Sequence, residues 1–258
     1  MVAIDWLTDN GMIANPSKFQ AIIFTKNKEP IRTTFSIKGK QIPNEAVVEL
    51  LGIQIDEKLK FDKHTKEIIR KSAGQLNSLN RLKSYLSSES KKLAVNSFIT
   101  SNFNYCPLIW NFSNANLTNK IEKVQERALR LIDNSQVSYE HLLDKYNKCT
   151  FKTKTHRLLA TEIFKSLNHI NPLYIGEIFQ QNKFSRSERL KCNLKSQTFK
   201  RVKFGKKSLR VLGPILWNSL PKQTKTADSL FTFNTLINNW GKTNCQHLEK
   251  FNRYMQAI

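Results

Sequence analysis

Acid is what this sequence is short of. Its 258 residues carry 42 Lys+Arg against 20 Asp+Glu, a formal net charge of +22. Two-metal phosphoryl chemistry needs at least two convergent carboxylates that hold cations about 4 Å apart. No Asp-Asp pair stands in the chain, and no P-loop, HExxH or GxSxG motif is present. Asp5 and Asp9, four apart on a predicted helix, read as solvated N-terminal acids. Asp56 and Asp62 fall at element ends, where capping accounts for them. By itself the chain does not look catalytically complete.

Cysteine is sparse and scattered. Cys106, Cys149, Cys192 and Cys245 stand more than forty residues apart, a spacing that suits neither a zinc knuckle nor a thioredoxin-like motif. Buried reduced thiols in a cytosolic or nuclear protein are the better reading. Cys245 and His247 lack two further ligands in a recognisable pattern, so no metal site is assigned. Long apolar runs are missing too: "AIIF" and "VLGPILW" fall far short of the roughly 20 residues that cross a bilayer. "MVAIDWLTDN" has two aspartates and no early basic residue, so it reads as neither signal nor transit peptide. A nuclear or cytoplasmic location is expected. No internal repeat has solenoid spacing.

What is present points to a folded, cation-rich protein. Hydrophobic residues make up 40% of the chain and include 16 Phe, enough for a real core. The surplus of cations attracts polyanions and releases them as salt rises. Nucleic acid is the first candidate partner and an anionic membrane surface the second.

Periodicity predicts an α+β fold. "AIDWLTDNG" reads as a helix closed at Gly11, and Asn15, preceding a proline, as extended. "FQAIIF" is expected to be a buried strand, "TTFSIKGKQI" a hairpin and "VVELLGIQID" a further strand. In that strand Gly52 marks either a bulge or a close backbone approach. From Asp62 to Leu86 apolar residues recur every three or four positions, and Lys63, Lys66, Arg70, Lys71, Arg81 and Lys83 take polar ones. Further helices are predicted in "SSESKKLAVNSFITSNFNY", "LTNKIEKVQERALRLIDN", "SYEHLLDKY", "HRLLATEIFKSLNHI" and "LFTFNTLINNW", with "LGPILWNSLP" as a compact turn anchored by Trp217. In the second of these segments Lys120, Lys123, Arg127 and Arg130 run one residue ahead of the apolar positions, a basic stripe about 100° round the helix. Glu122 and Glu126 are placed to offset it by i,i+4 pairing. Residues 183–210 hold eleven Lys/Arg and one acid, Glu188. That stretch reads as strand and loop or as a flexible arm. Its Phe184, Phe199 and Phe204 either anchor in a core or offer stacking surfaces for unpaired bases.

One resemblance ties these segments together. "NGMIANPSKFQAIIF", then "LLGIQID", "KLKFDKHTKEI", "FITSNFNYCPLIW", "KIEKVQERALRLI" and "GPILWNSLP" resemble, in order, the reverse transcriptases of LINE-type (non-LTR), jockey-like retrotransposons. The similarity covers nearly the whole chain. It implies the end of a palm with a primer-grip-like strand over residues 1–61, a partial antiparallel sheet. A helical thumb and post-thumb region over 62–182 and a basic C-terminal region over 183–258 would follow. It implies that the catalytic Tyr-x-Asp-Asp hairpin belongs upstream of Met1, together with the magnesium of the full-length polymerase, so that this chain binds no cofactor itself. It also implies a role for Lys18, as an assisting group near the leaving pyrophosphate; the alternative is a surface lysine beside a turn. Leu51 and Gly52 would then approach nucleic acid, with Leu51 and Ile53 anchoring the opposite face of the strand. Lys63, Lys66, Arg70 and Lys71 would hold primer–template phosphates. The remaining nucleic-acid candidates are the stripe on residues 120–130 and Lys200, Arg201, Lys203, Lys206 and Lys207. Expected partners are RNA, DNA and the missing upstream palm and fingers segment. The competing readings are a stand-alone nucleic-acid-binding module derived from such an element, and a helical protein-interaction scaffold.

Overall fold

The computed structural model describes residues 2–27, 29–37, 39–111, 113–182, 192–198 and 208–240. The chain is α+β and divides between Ile68 and Ile69 into two compact units.

The first unit begins with α1 (Val2–Asp9). Gly11 takes a left-handed φ of 70°. Its amide donates to the Thr8 carbonyl at 3.0 Å and that of Met12 to Leu7 at 2.8 Å, a closure that satisfies the last carbonyls of the helix. Next comes a short 3₁₀ turn, Pro16–Lys18. Asn15 Oδ1 accepts from the Ser17 amide at 3.0 Å and the Ser17 hydroxyl at 2.7 Å. The Asn-Pro-Ser-Lys stretch is therefore a self-contained Asx turn.

"FQAIIF" departs from expectation, making only one parallel bridge, Ala21 to Asn44. The other strands are short and form two separate antiparallel pairs. β1 (Thr34–Ile37) pairs with β2 (Lys40–Pro43), as the Lys-Gly signal predicted. "VVELLGIQID" is not one strand but a hairpin, β3 (Val47–Leu50) against β4 (Ile53–Asp56), with Val48 opposite Ile55. Leu51 and Gly52 are its two-residue turn, with φ of 50° and 78°, both positive as a type I′ turn requires. Gly52 is thus a turn residue rather than a bulge. Leu51 is 81% exposed and anchors no core. Asp56 then organises the exit: its carboxylate accepts from the amides of Lys58, Lys60 and Phe61 at 3.0, 3.2 and 2.6 Å. This bears out the local capping role read for that residue.

α2 (Asp62–Arg81) follows and stops short of the expected Leu86; residues 82–85 turn instead, and Leu82 is exposed. The second unit is helical. α3 (Ser88–Ala94) starts on Ser87, whose hydroxyl accepts from the Ser90 amide at 3.1 Å. It runs through a π-helical stretch, Val95–Thr100, into α4 (Ser101–Asn104). α5 (Pro107–Asn111), α6 (Ala115–Asp133), α7 (Tyr139–Lys145), α8 (Phe151–Leu167) and α9 (Leu173–Gly176) follow. "LGPILWNSLP" belongs to a helix rather than a turn: α10 (Leu209–Ser219) carries Pro214 inside it and buries Val211, Leu212, Leu216 and Trp217. α11 (Lys222–Lys225) and α12 (Leu230–Asn239) complete the unit.

α8 is the axis of this unit, with α5, α6, α9, α10 and α12 all packed on it. Leu159, Ile163 and Phe164 meet Leu216, Trp217, Phe233 and Ile237 in one core. Phe233 stacks on Phe164 at a centroid distance of 4.4 Å and on Trp217 at 6.0 Å. The Trp217 indole N–H donates to the Cys192 carbonyl at 2.9 Å, so it acts as the packing anchor that was expected. Each of these large apolar side chains contributes roughly 1.5–3 kcal/mol by leaving water. Among the described residues no helix is long and apolar enough to cross a membrane.

Candidate nucleic-acid interface

α6 carries the best-defined basic surface among the described residues. Asn114 starts it, its side-chain oxygen accepting from the Leu117 amide at 3.0 Å, and Asn134, at a φ of 56°, ends it in the left-handed conformation. Ile121, Val124, Ala128, Leu131 and Ile132 are buried, as their spacing predicted. With that face fixed, the row one residue earlier must point outward. Lys120, Lys123 and Arg127 are exposed, and Arg130 is half-buried.

The two acids of the same helix take separate paths. Glu126 accepts from Arg130 Nη2 at 2.8 Å and from Nε at 3.2 Å, the i,i+4 pair read from the sequence. Arg130 Nη1 also donates to the Val137 carbonyl at 2.9 Å. Glu122 does not pair with the stripe; it turns inward to the start of α8. There it accepts from the amides of Lys152 at 2.8 Å and Phe151 at 3.3 Å, and from the Tyr139 hydroxyl at 2.9 Å. Burial pushes its carboxyl up from the ordinary value, against the pull of those donors. One acid is thus consumed by helix capping and the other by Arg130. Lys120, Lys123 and Arg127 are left exposed and, among the described residues, without a carboxylate partner.

Arg127 also bridges two helices: its Nη2 donates to Asn77 Oδ1 of α2 at 2.9 Å. Beside this contact, residues at the ends of α2 and α6 line an open cleft of about 250 Å³. The buried Leu76 and Leu131 back it, while Lys83, Arg127 and Arg130 bring three cations to its lining. A second concavity, beside the π-helical stretch, holds about 30 Å³, the scale of ordered water rather than of a ligand.

The remaining sequence candidates lie apart from this cluster. Lys18 is exposed on its 3₁₀ turn, and Leu51 and Gly52 form the exposed tip of the β3–β4 hairpin. Lys63 and Lys66 are exposed on the part of α2 in the first unit; Arg70 and Lys71 are exposed on the part in the second. Lys200, Arg201, Lys203, Lys206 and Lys207 lie outside the described residues, as do Phe184, Phe199, Phe204, Cys245 and His247. Among the described residues no three His, Cys, Asp or Glu side chains come together as metal ligands would.

Sequence reading passed over Lys83, filed there as one polar position of a long helix, because the cleft exists only where α2 meets α6. No sequence signal marks it, because Leu82 and Leu86 continue the helical spacing of Leu79 past the point where α2 ends. The chain matches no protein-family model, no curated protein and no solved structure, so the interface rests on its own residues.

Proposed function

We propose that this chain is a fragment of an RNA-directed DNA polymerase from a mobile element, one that binds RNA and primer–template but lacks the catalytic carboxylates. On this reading the first unit is the end of a palm, α2 belongs to a thumb, and the basic surfaces hold phosphates. The observation that carries it is the fate of the acids on α6. Glu122 and Glu126 are both spent on protein contacts, and a row of exposed cations remains on a chain of net charge +22. Non-specific phosphate contacts need only that. Lys18 is then an assisting residue whose carboxylate partners belong to the upstream palm.

The test is a filter-binding titration of the purified chain with RNA and with primer–template at several salt concentrations, run beside a nucleotide-incorporation assay. Salt-dependent binding that persists at physiological ionic strength, with no incorporation, is expected. Robust polymerisation by this chain alone would contradict the missing carboxylates. Binding that vanishes at physiological salt would favour the interaction scaffold.

A further inference from the structure

The cleft between the ends of α2 and α6 sets side-chain carboxamides beside its cations, which a plain phosphate grip does not need. Leu76 and Leu131 back it from beneath, both buried, at 2% and 8% exposure. Its walls carry the carboxamides of Asn80, Asn134 and Gln136. Its cations are not equivalent. Arg130 is neutralised by Glu126 and pinned to the Val137 carbonyl, whereas Arg127 spends one nitrogen on the neutral Asn77, and Lys83 is exposed. The uncompensated charge therefore sits at Lys83 and Arg127.

Paired donor–acceptor amides beside two cations that no carboxylate neutralises correspond to what a nucleotide presents: a base edge and a phosphate. Size narrows the class. At about 250 Å³ the cleft is smaller than the roughly 300–1,000 Å³ of sites that enclose a whole drug-sized ligand, and it has no room for a duplex. A base-paired nucleotide would also have its hydrogen-bonding edge already occupied, leaving the amides nothing to read.

We propose that this cleft takes one unpaired nucleotide of a bound strand, its base edge at Asn80 and Gln136 and its phosphate at Lys83 and Arg127. The assignment rests on the nucleic-acid reading above and adds to it a preference for single strands at one position. Arg127 is shared by the exposed row on α6 and the cleft, so a strand lying along Lys120 and Lys123 would enter the cleft at its Arg127 end.

The experiment uses the full chain with a labelled single-stranded RNA, a duplex of the same length, and adenosine monophosphate as a small probe. Asn80→Ala combined with Gln136→Ala changes two exposed residues and leaves the left-handed cap at Asn134 intact. It should weaken single-strand binding about tenfold, the effect of losing two ordinary hydrogen bonds, and duplex binding less than twofold. Lys83→Glu should weaken single-strand binding by at least as much, and unchanged thermal midpoints would show that both variants fold. If the chain binds nucleic acid but neither variant changes single-strand affinity, the cleft assignment fails and the broader reading stands. If adenosine monophosphate binds more tightly than the strand, the occupant is a free nucleotide and the assignment to a strand fails. If nothing binds at physiological salt, both fall.

Discussion

His156 shows how far burial alone can set the chemistry of one side chain. It is fully buried in α8, and loss of hydration holds its pKa down to about 3, with the Lys152 ammonium one turn earlier adding to the effect. In the unfolded chain an imidazole takes its proton near pH 6.5. Below that pH the unfolded state binds a proton that the folded state refuses until about pH 3, so stability is lost as pH falls through this window. The slope approaches about 1.4 kcal/mol per pH unit. Glu122 works in the opposite sense. Its carboxyl is raised, so the folded state holds a proton above 4.5 that the unfolded chain releases, and acidification through that window favours the fold. Denaturant unfolding of the native chain and of His156→Phe from pH 7 to 4 separates the two. The native chain should lose stability relative to the variant by about 1–1.4 kcal/mol for each unit below pH 6. Parallel curves would mean that the imidazole is not held neutral.

At the scale of elements, the β3–β4 hairpin makes the sharpest case. Leu51 pays for its left-handed φ of 50° with roughly 1 kcal/mol of steric cost, a cost that Asn at the same position largely avoids. Leu51→Asn should stabilise the hairpin by about 0.5–1 kcal/mol, read from slower hydrogen exchange of the β3 and β4 amides, and Gly52→Ala should destabilise it by about 1 kcal/mol or more. Under the proposed polymerase reading, the exposed Leu51 side chain is also the apolar contact of the hairpin tip with a primer. The same Leu51→Asn chain should therefore bind primer–template a few-fold more weakly even as it becomes more stable. Stability and affinity that rose together would remove the tip from the interface.

The same hairpin explains what the sequence concealed. Asn-Gly between alternating apolar residues announces a turn, whereas "ELLGIQ" hides one behind a leucine, and ten residues read as one strand. α10 is the complementary case. Gly213 and Pro214 argue locally for a turn, yet they are buried together with Val211, Leu212, Leu216 and Trp217, and Leu216 and Trp217 join the core around α8, so packing overrides the local signal. α6 was legible because its signals agree: a clean apolar period and a basic row in step with it. The inward turn of Glu122 was not legible, since it depends on where α8 begins. Nor was the cleft, which depends on how α2 and α6 pair.

For the molecule as a whole, the question is whether the charge of +22 is concentrated or spread. Concentration makes a quantitative demand. Each cation that neutralises a phosphate of a single strand contributes roughly 0.7 to the slope of log affinity against log salt. Replacing Lys120, Lys123 and Arg127 together with Ala should lower the magnitude of that slope by about 2 if all three touch phosphates. Replacing Lys200, Arg201, Lys203, Lys206 and Lys207 should lower it by about 3.5 if that segment does the same. Lys26, Lys60 and Lys222 are exposed and lie away from both patches in sequence. Their triple Ala variant loses the same formal charge as the first set and should leave the slope nearly unchanged. Three sets with equal slope changes per residue would mean that the chain attracts polyanions by net charge alone, with no surface shaped to hold a strand. A slope that responds to the α6 row and ignores the control set places the strand along α6, where the helix's own acids have been turned to other work.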